Sequence, residues 1–75
     1  MKVKNVLKGI MAHDDVTQLT IIKGYEVQCS LAVETFLDAV KYSNNMMHLF
    51  AKDLSDSEVI AKDFNCGNKL FLFIK

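Results

Sequence analysis

The sequence predicts an α+β domain: a four-stranded, mainly antiparallel sheet, made of two β-hairpins, with helices on one face. Two observations predict the strands. Apolar and polar residues alternate on either side of Lys23-Gly24, and β-branched and aromatic residues flank the turn at residues 65–68. Apolar residues at helical spacing, near the start and in the middle of the chain, predict the helices. The expected order is helix, hairpin, one or two helices, hairpin.

The length of the chain, 75 residues, predicts a single domain covering residues 1–75. A domain of this size buries only about 60% of its unfolded surface, and its core supplies roughly 3–5 kcal/mol of net stability. Hydrophobic residues make up 51% of the chain and proline is absent, so the composition is that of a folded domain. The apolar surplus favours association with another chain.

Charge and hydropathy exclude several classes of function. Nine basic and nine acidic residues give zero formal net charge, whereas duplex-DNA binders carry a basic excess. Near-zero charge instead favours self-association. The lysine-interrupted N-terminus has no signal-peptide core, and the longest apolar run, five residues at Leu70–Ile74, is too short to cross a membrane. We therefore expect a cytoplasmic protein with free thiols and no membrane association.

A first helix is predicted from about Lys2 to Ala12. Its apolar positions, spaced i, i+3, i+4, i+7 and i+8, are Val3, Val6, Leu7, Ile10 and Met11. Lysines in the first turn and aspartates after the last turn oppose the helix dipole, and Gly9 lowers helix propensity. We expect this helix to be stable only when it is docked against the rest of the domain.

The first hairpin is predicted from alternation over residues 16–22 and 25–31, with Gly24 supplying the positive φ of a tight turn. One face is apolar and should point inward. Its members are Leu19, Ile21, Tyr25, Val27, Cys29 and Leu31. The other face is polar and should be solvated. Its members are Gln18, Thr20, Glu26, Gln28 and Ser30.

Helical spacing resumes at Val33 and continues to Lys41, with Glu34 in the first turn and Lys41 in the last, which suits the helix dipole. Residues 43–45 (Ser-Asn-Asn) indicate a stop and a cap for a second helix ending near Leu54. A single bent helix over residues 32–54 is the alternative. The apolar run that begins with Met46 and Met47 is either buried between helix and sheet or forms a contact surface, for which methionine is well suited.

The second hairpin pairs a strand beginning near Glu58 with the closing strand, residues 69–75. Because five consecutive apolar residues predict a strand that is covered on both faces, something must shield the side that the helices leave open. If Leu70, Leu72 and Ile74 face the helices, then Phe71 and Phe73 emerge on the open side, beside Ile60 and Phe64. The residues predicted to contact a protein partner or a second copy are Ile60, Phe64, Phe71, Phe73, Met46 and Met47.

Three segments of the chain together resemble a loose class of short phage- and prophage-encoded proteins. They are the amphipathic opening Met1–Lys8, the strand start Asp56–Ile60 and the apolar closing strand Lys69–Lys75. The resemblance covers nearly the whole chain. It implies a phage or prophage source, and hence a host-cell cytoplasmic location, and the same order of elements. It carries no catalytic or ligand motif, and the chain departs from the class at Met46–Leu54 and in its two cysteines.

The residues able to bind a metal or act as a nucleophile are scattered. Cys29, Cys66, His13 and His48 lack the short spacing of zinc ligands. A nucleophilic Cys66 would need a base such as His48 and a carboxylate such as Asp53, and nothing in the spacing links these three. The adjacent Asp14 and Asp15 belong to a predicted turn, and no glycine-rich phosphate loop is present. We therefore expect no enzyme activity, no metal or cofactor and no small-molecule substrate.

These observations predict a non-enzymatic protein-binding module that forms a homodimer or binds a partner such as a host protein. The alternative is a nucleic-acid-binding accessory protein that uses Lys2, Lys4, Lys8 and Lys23, together with stacking on exposed aromatic rings. Zero net charge counts against that alternative. Salt separates the two predictions, because phosphate contacts weaken steeply with ionic strength and an aromatic interface does not.

Overall fold

The structure, a computed structural model, describes residues 1–11, 15–65 and 68–75. The helices and strands of these residues confirm the predicted α+β class and the predicted order. They are α1 (Val3–Met11), β1 (Gln18–Lys23), β2 (Glu26–Ala32), α2 (Val33–Lys41), α3 (His48–Ser55), β3 (Val59–Asn65) and β4 (Lys69–Ile74). The segment 32–54 contains two helices, not one.

The four strands form one mixed sheet in the order β2-β1-β4-β3. Each hairpin is antiparallel, β1 with β2 and β3 with β4, as predicted. The two hairpins meet at the centre through β1 and β4, which run parallel. Parallel neighbours need a long crossover connection, and the segment containing α2 and α3 provides it.

The hydrophobic core lies between the helices and one face of the sheet. In the two central strands every second side chain is buried, which is the period of a strand with one covered face. The buried strand residues are Leu19, Ile21, Leu70, Leu72 and Ile74. The buried apolar helix residues are Val3, Val6, Leu7, Ile10, Val33, Phe36, Ala39, Ala51 and Leu54. Leu70, Leu72 and Ile74 therefore face the helices, which is the condition under which Phe71 and Phe73 lie on the open side.

Helix α1 lies within the predicted bounds, with Ala12 outside the described residues. Main-chain bonds fix its beginning to the start of β3. The Val3 N–H donates to the Ser57 carbonyl oxygen at 3.0 Å, and the Val59 N–H donates to the Met1 carbonyl oxygen at 2.8 Å. A helix with unfavourable charges at its ends is thus held by tertiary contacts.

The break between α2 and α3 occurs where the polar residues predicted it. The Asn45 side-chain oxygen Oδ1 accepts a hydrogen bond from the Met47 N–H at 2.8 Å, and the Asn45 carbonyl accepts one from the His48 N–H at 3.0 Å. The His48 ring nitrogen Nδ1 lies 2.9 Å from the Ala39 carbonyl oxygen. This last contact ties the start of α3 to α2.

A β-bulge changes the faces of the first hairpin. Ile21 is opposite Cys29, but Ile22 is opposite Val27, so Gln28 is an extra residue in β2. An inserted residue moves the side chains beyond it to the other face. Cys29 lies on the helix side as predicted, whereas Val27 lies on the opposite face. The predicted inward position of Val27 is therefore wrong, and Tyr25 is fully exposed in the turn.

Candidate protein-interaction surface

The sheet face opposite the helices has an apolar row that crosses all four strands. Val27 of β2 is opposite Ile22 of β1, Ile22 is opposite Phe73 of β4, and Phe73 is opposite Ala61 of β3. Directly opposite residues point to the same side of a sheet. Phe71 lies on the same face of β4, two residues before Phe73. We call these five residues the open-face patch.

The open-face patch is only partly covered within the protomer. Ile22, Phe71 and Phe73 are half-buried, and Val27 is 59% exposed. The neighbours of Phe71 in its own row are polar: Thr20, Ser30 and Asp63. The Thr20 and Ser30 hydroxyl oxygens are 3.0 Å apart. The patch is thus an apolar strip with a polar border, which is the pattern of a protein contact surface.

The other two predicted contact residues of the second hairpin do not join this patch. Phe64 is opposite Leu70, so it lies on the helix side of the sheet, at the outer strand, with 48% of its surface exposed. Its predicted position beside Phe71 and Phe73 is wrong. Ile60 is the extra residue where the β3 register shifts, and it is 65% exposed. Both residues belong to the outer edge of β3.

Met46 and Met47 lie in the connection between α2 and α3 and are exposed. Leu49, Phe50 and Tyr42 are exposed there as well, and we call these five residues the connection surface. Burial of this run between helix and sheet was one of the two alternatives, and the structure contradicts it. The core contacts of α3 come from Ala51 and Leu54.

Two lysines of the nucleic-acid alternative, Lys2 and Lys4, lie close to carboxylates. The Lys4 ammonium is 3.0 Å from Asp56 Oδ1. This hydrogen bond, together with the positive charge of Lys4, lowers the pKa of Asp56 below its ordinary value. Lys2 forms a β-bridge with Glu58, whose pKa is lowered chiefly by the terminal ammonium of Met1, 2.6 Å away. Acidic side chains therefore offset part of the positive charge of Lys2 and Lys4 at the start of α1.

Of the cysteines and histidines considered as metal ligands or nucleophiles, the structure describes Cys29 and His48. Burial raises the pKa of the Cys29 thiol, and a backbone hydrogen bond with Ile21 acts in the opposite direction. Cys66, His13 and Asp14 lie outside the described residues. Among residues 1–11, 15–65 and 68–75, no three His, Cys, Asp or Glu side chains are grouped to hold a metal ion. In the same part of the chain, no helix has the length and hydropathy needed to cross a bilayer.

Comparison of the chain with protein-family models, curated proteins and solved structures finds no match. The open-face patch and the connection surface are two exposed apolar surfaces of the described residues. Sequence periodicity identified Phe71, Phe73, Met46 and Met47 but missed Ile22 and Val27. Ile22 is two residues after Thr20, so the alternation already places it on the same face of the strand as Thr20, which is the face opposite the helices. Val27 depends on the bulge, for which the sequence has no comparable signal.

Proposed function

We propose that this protein is a small, non-enzymatic protein-binding module that self-associates through its open-face patch. The observation that supports the proposal is the alignment of Val27, Ile22 and Phe73 in adjacent strands on the face without a helix layer. Phe71 extends the patch along β4. A second copy of the chain presents the same strip, and a two-fold interface pairs the same surface of both copies.

The size of the molecule is compatible with such an interface. A standard stable interface buries about 800 Å² on each partner, and the molecule measures 33 × 26 × 19 Å, so one broad face is of that order. Covering apolar area contributes about 25 cal/mol per Å². Completing the burial of two phenylalanine rings with Ile22 and Val27 therefore contributes more than an exposed ion pair does.

The resemblance to phage and prophage proteins supports a proposal for where the protein acts. There the module acts in the cytoplasm of a bacterial host, and its target is a host protein. In a dimer joined through the open faces of the sheets, the connection surface of each protomer stays accessible, since its residues belong to the segment from the end of α2 into α3 and not to the sheet. The target then binds at the connection surface.

Native mass spectrometry and sedimentation equilibrium test the self-association. We expect wild-type protein to be dimeric and the double variant Phe71→Ser, Phe73→Ser to be monomeric and folded. The matched control is Met46→Ser, Leu49→Ser, which removes two exposed apolar side chains from the other surface and leaves the dimer intact. A wild-type monomer at all accessible concentrations contradicts the proposal.

A salt titration separates the module from a nucleic-acid-binding protein. We expect dimerisation to change little between low and high salt, because the patch contains no charged residue. Binding to a single-stranded oligonucleotide that falls steeply with salt, and that Lys4→Gln and Lys8→Gln weaken, would favour the nucleic-acid function instead.

A further inference from the structure

A cleft of about 360 Å³ lies in the helix layer, on the side of the molecule away from the open-face patch. Its floor is formed by Leu7 of α1 and Phe36 of α2, each only 1% exposed. Leu37 and Val40, which are half-buried, form the wall on α2. The accessible lining is therefore aliphatic and aromatic. The volume of the cleft is at the lower end of the range found for small-ligand sites.

The charged side chains that line the cleft are both lysines. Lys4 and Lys8 are one helical turn apart on α1, so their side chains lie on the same side of the helix. Lys4 is already 3.0 Å from the Asp56 carboxylate, which offsets part of its charge. Lys8, which is exposed, is the second lysine that lines the cleft.

The remaining polar group of the lining is the Ser55 hydroxyl, which donates to the Lys52 carbonyl oxygen at 2.8 Å. The hydroxyl proton of Ser55 is therefore already donated within α3 and is not available to a ligand. Recognition of a ligand then rests on two properties: an apolar wall, and positive charge at the rim. A molecule with an aliphatic tail and one anionic head group complements both.

We propose that the cleft binds a small aliphatic carboxylate, with its chain against Leu37 and Val40 and its carboxylate at Lys8. The short wall on α2 and the modest volume favour a short or medium chain over a long one. The site shares no residue with the open-face patch. The two proposals are therefore tested on different residues, and the failure of one leaves the other standing.

Titration of isotope-labelled protein, followed by amide chemical shifts, tests this site with octanoate as the probe. We expect saturable shifts confined to α1, α2 and the end of α3. Octanol, which lacks the charge, and octyltrimethylammonium, which reverses it, should bind at least about tenfold more weakly, the equivalent of losing roughly 1.4 kcal/mol. Equal binding of all three probes, or no saturable binding of octanoate, overturns the proposal.

Two variants assign the contacts. Lys8 is exposed, so Lys8→Glu should fold normally, and it should weaken octanoate about tenfold or more while affecting octanol little. Lys52→Glu, an exposed lysine that does not line the cleft, is the matched control and should leave both affinities unchanged. Val40→Phe should fill the cleft and abolish binding of both probes. Octanoate affinity that Lys8→Glu and Val40→Phe leave unchanged contradicts the assignment.

Discussion

Ile22 of β1 lies directly opposite Phe73 of β4, on the side of the sheet that the helices do not cover. This pair joins the two hairpins at the parallel centre of the sheet. Val27 extends the contact to one edge strand and Ala61 to the other. The apolar strip is thus assembled from all four strands, although each strand contributes only one residue to this row.

We expect the thermal stability of the protein to depend on its concentration. A dimer is stabilised by mass action, so the wild-type Tm should rise with protein concentration. Phe73→Ser should remove this dependence while the domain stays folded, because the core lies on the other face of β4, at Leu70, Leu72 and Ile74. Scanning calorimetry over a wide range of concentration measures both effects. A variant that is unfolded at every concentration would instead place Phe73 in the core.

Leu72→Ala should destabilise the domain severely. Leu72 is fully buried in a central strand, and truncating a buried leucine costs about 2–5 kcal/mol. That loss is comparable to the roughly 3–5 kcal/mol available to a domain of this size. Urea unfolding followed by circular dichroism should show little folded Leu72→Ala, whereas Leu72→Met should stay folded. Phe64→Ala, at an exposed edge position, is the control and should cost much less.

The two described glycines should respond to alanine in opposite directions. Gly9 lies inside α1, and an added Cβ there meets no atom within 4 Å apart from its chain neighbours and the backbone of its own helix. Gly9→Ala should therefore stabilise the domain by about 0.5–1 kcal/mol. Gly24 has a φ of 63° in the turn between β1 and β2, where a side chain is strained, so Gly24→Ala should destabilise by about 1–2 kcal/mol. Chemical denaturation measures both changes, and a common sign would contradict the assigned conformations.

The pair between Lys4 and Asp56 should make stability fall in acid. Because the pKa of Asp56 is lower in the folded protein than in the unfolded chain, its contribution is complete above its ordinary pKa of about 4. The contribution is lost as the pH falls through the lower, folded value. Asp56→Asn should remove this part of the pH dependence, while Asp53→Asn serves as a control. Urea midpoints at neutral pH and at about pH 2 provide the comparison, and identical pH dependence in wild type and Asp56→Asn would contradict the account.

Periodicity predicted the elements that have one buried face. The alternation of Leu19 with Ile21, and of Leu70 with Leu72, is enough to identify the inner face of both central strands. The stop at residues 43–45 followed from side chains that bond to the local backbone, as Asn45 does. Such a stop depends only on residues close together in the chain, so the sequence can predict it.

The faces of the two outer strands could not be predicted in the same way. A single extra residue, Gln28 in β2 or Ile60 in β3, moves every residue beyond it to the opposite side of the sheet. This is why Val27 joins the open-face patch. Phe64 lies outside the patch because the β3–β4 register places it opposite Leu70, on the helix side. The parallel pairing of β1 with β4 is also set by tertiary packing, since it joins residues that are far apart in the chain.

The open-face patch is tested most directly by nuclear Overhauser effects measured between protomers, in a mixture of isotope-labelled and unlabelled chains. Contacts between Ile22 or Val27 methyl groups of one protomer and Phe71 or Phe73 rings of the other are the predicted result. Intermolecular contacts confined to other surfaces, such as Met46 and Leu49, or none at all in concentrated protein, would contradict self-association through this face of the sheet.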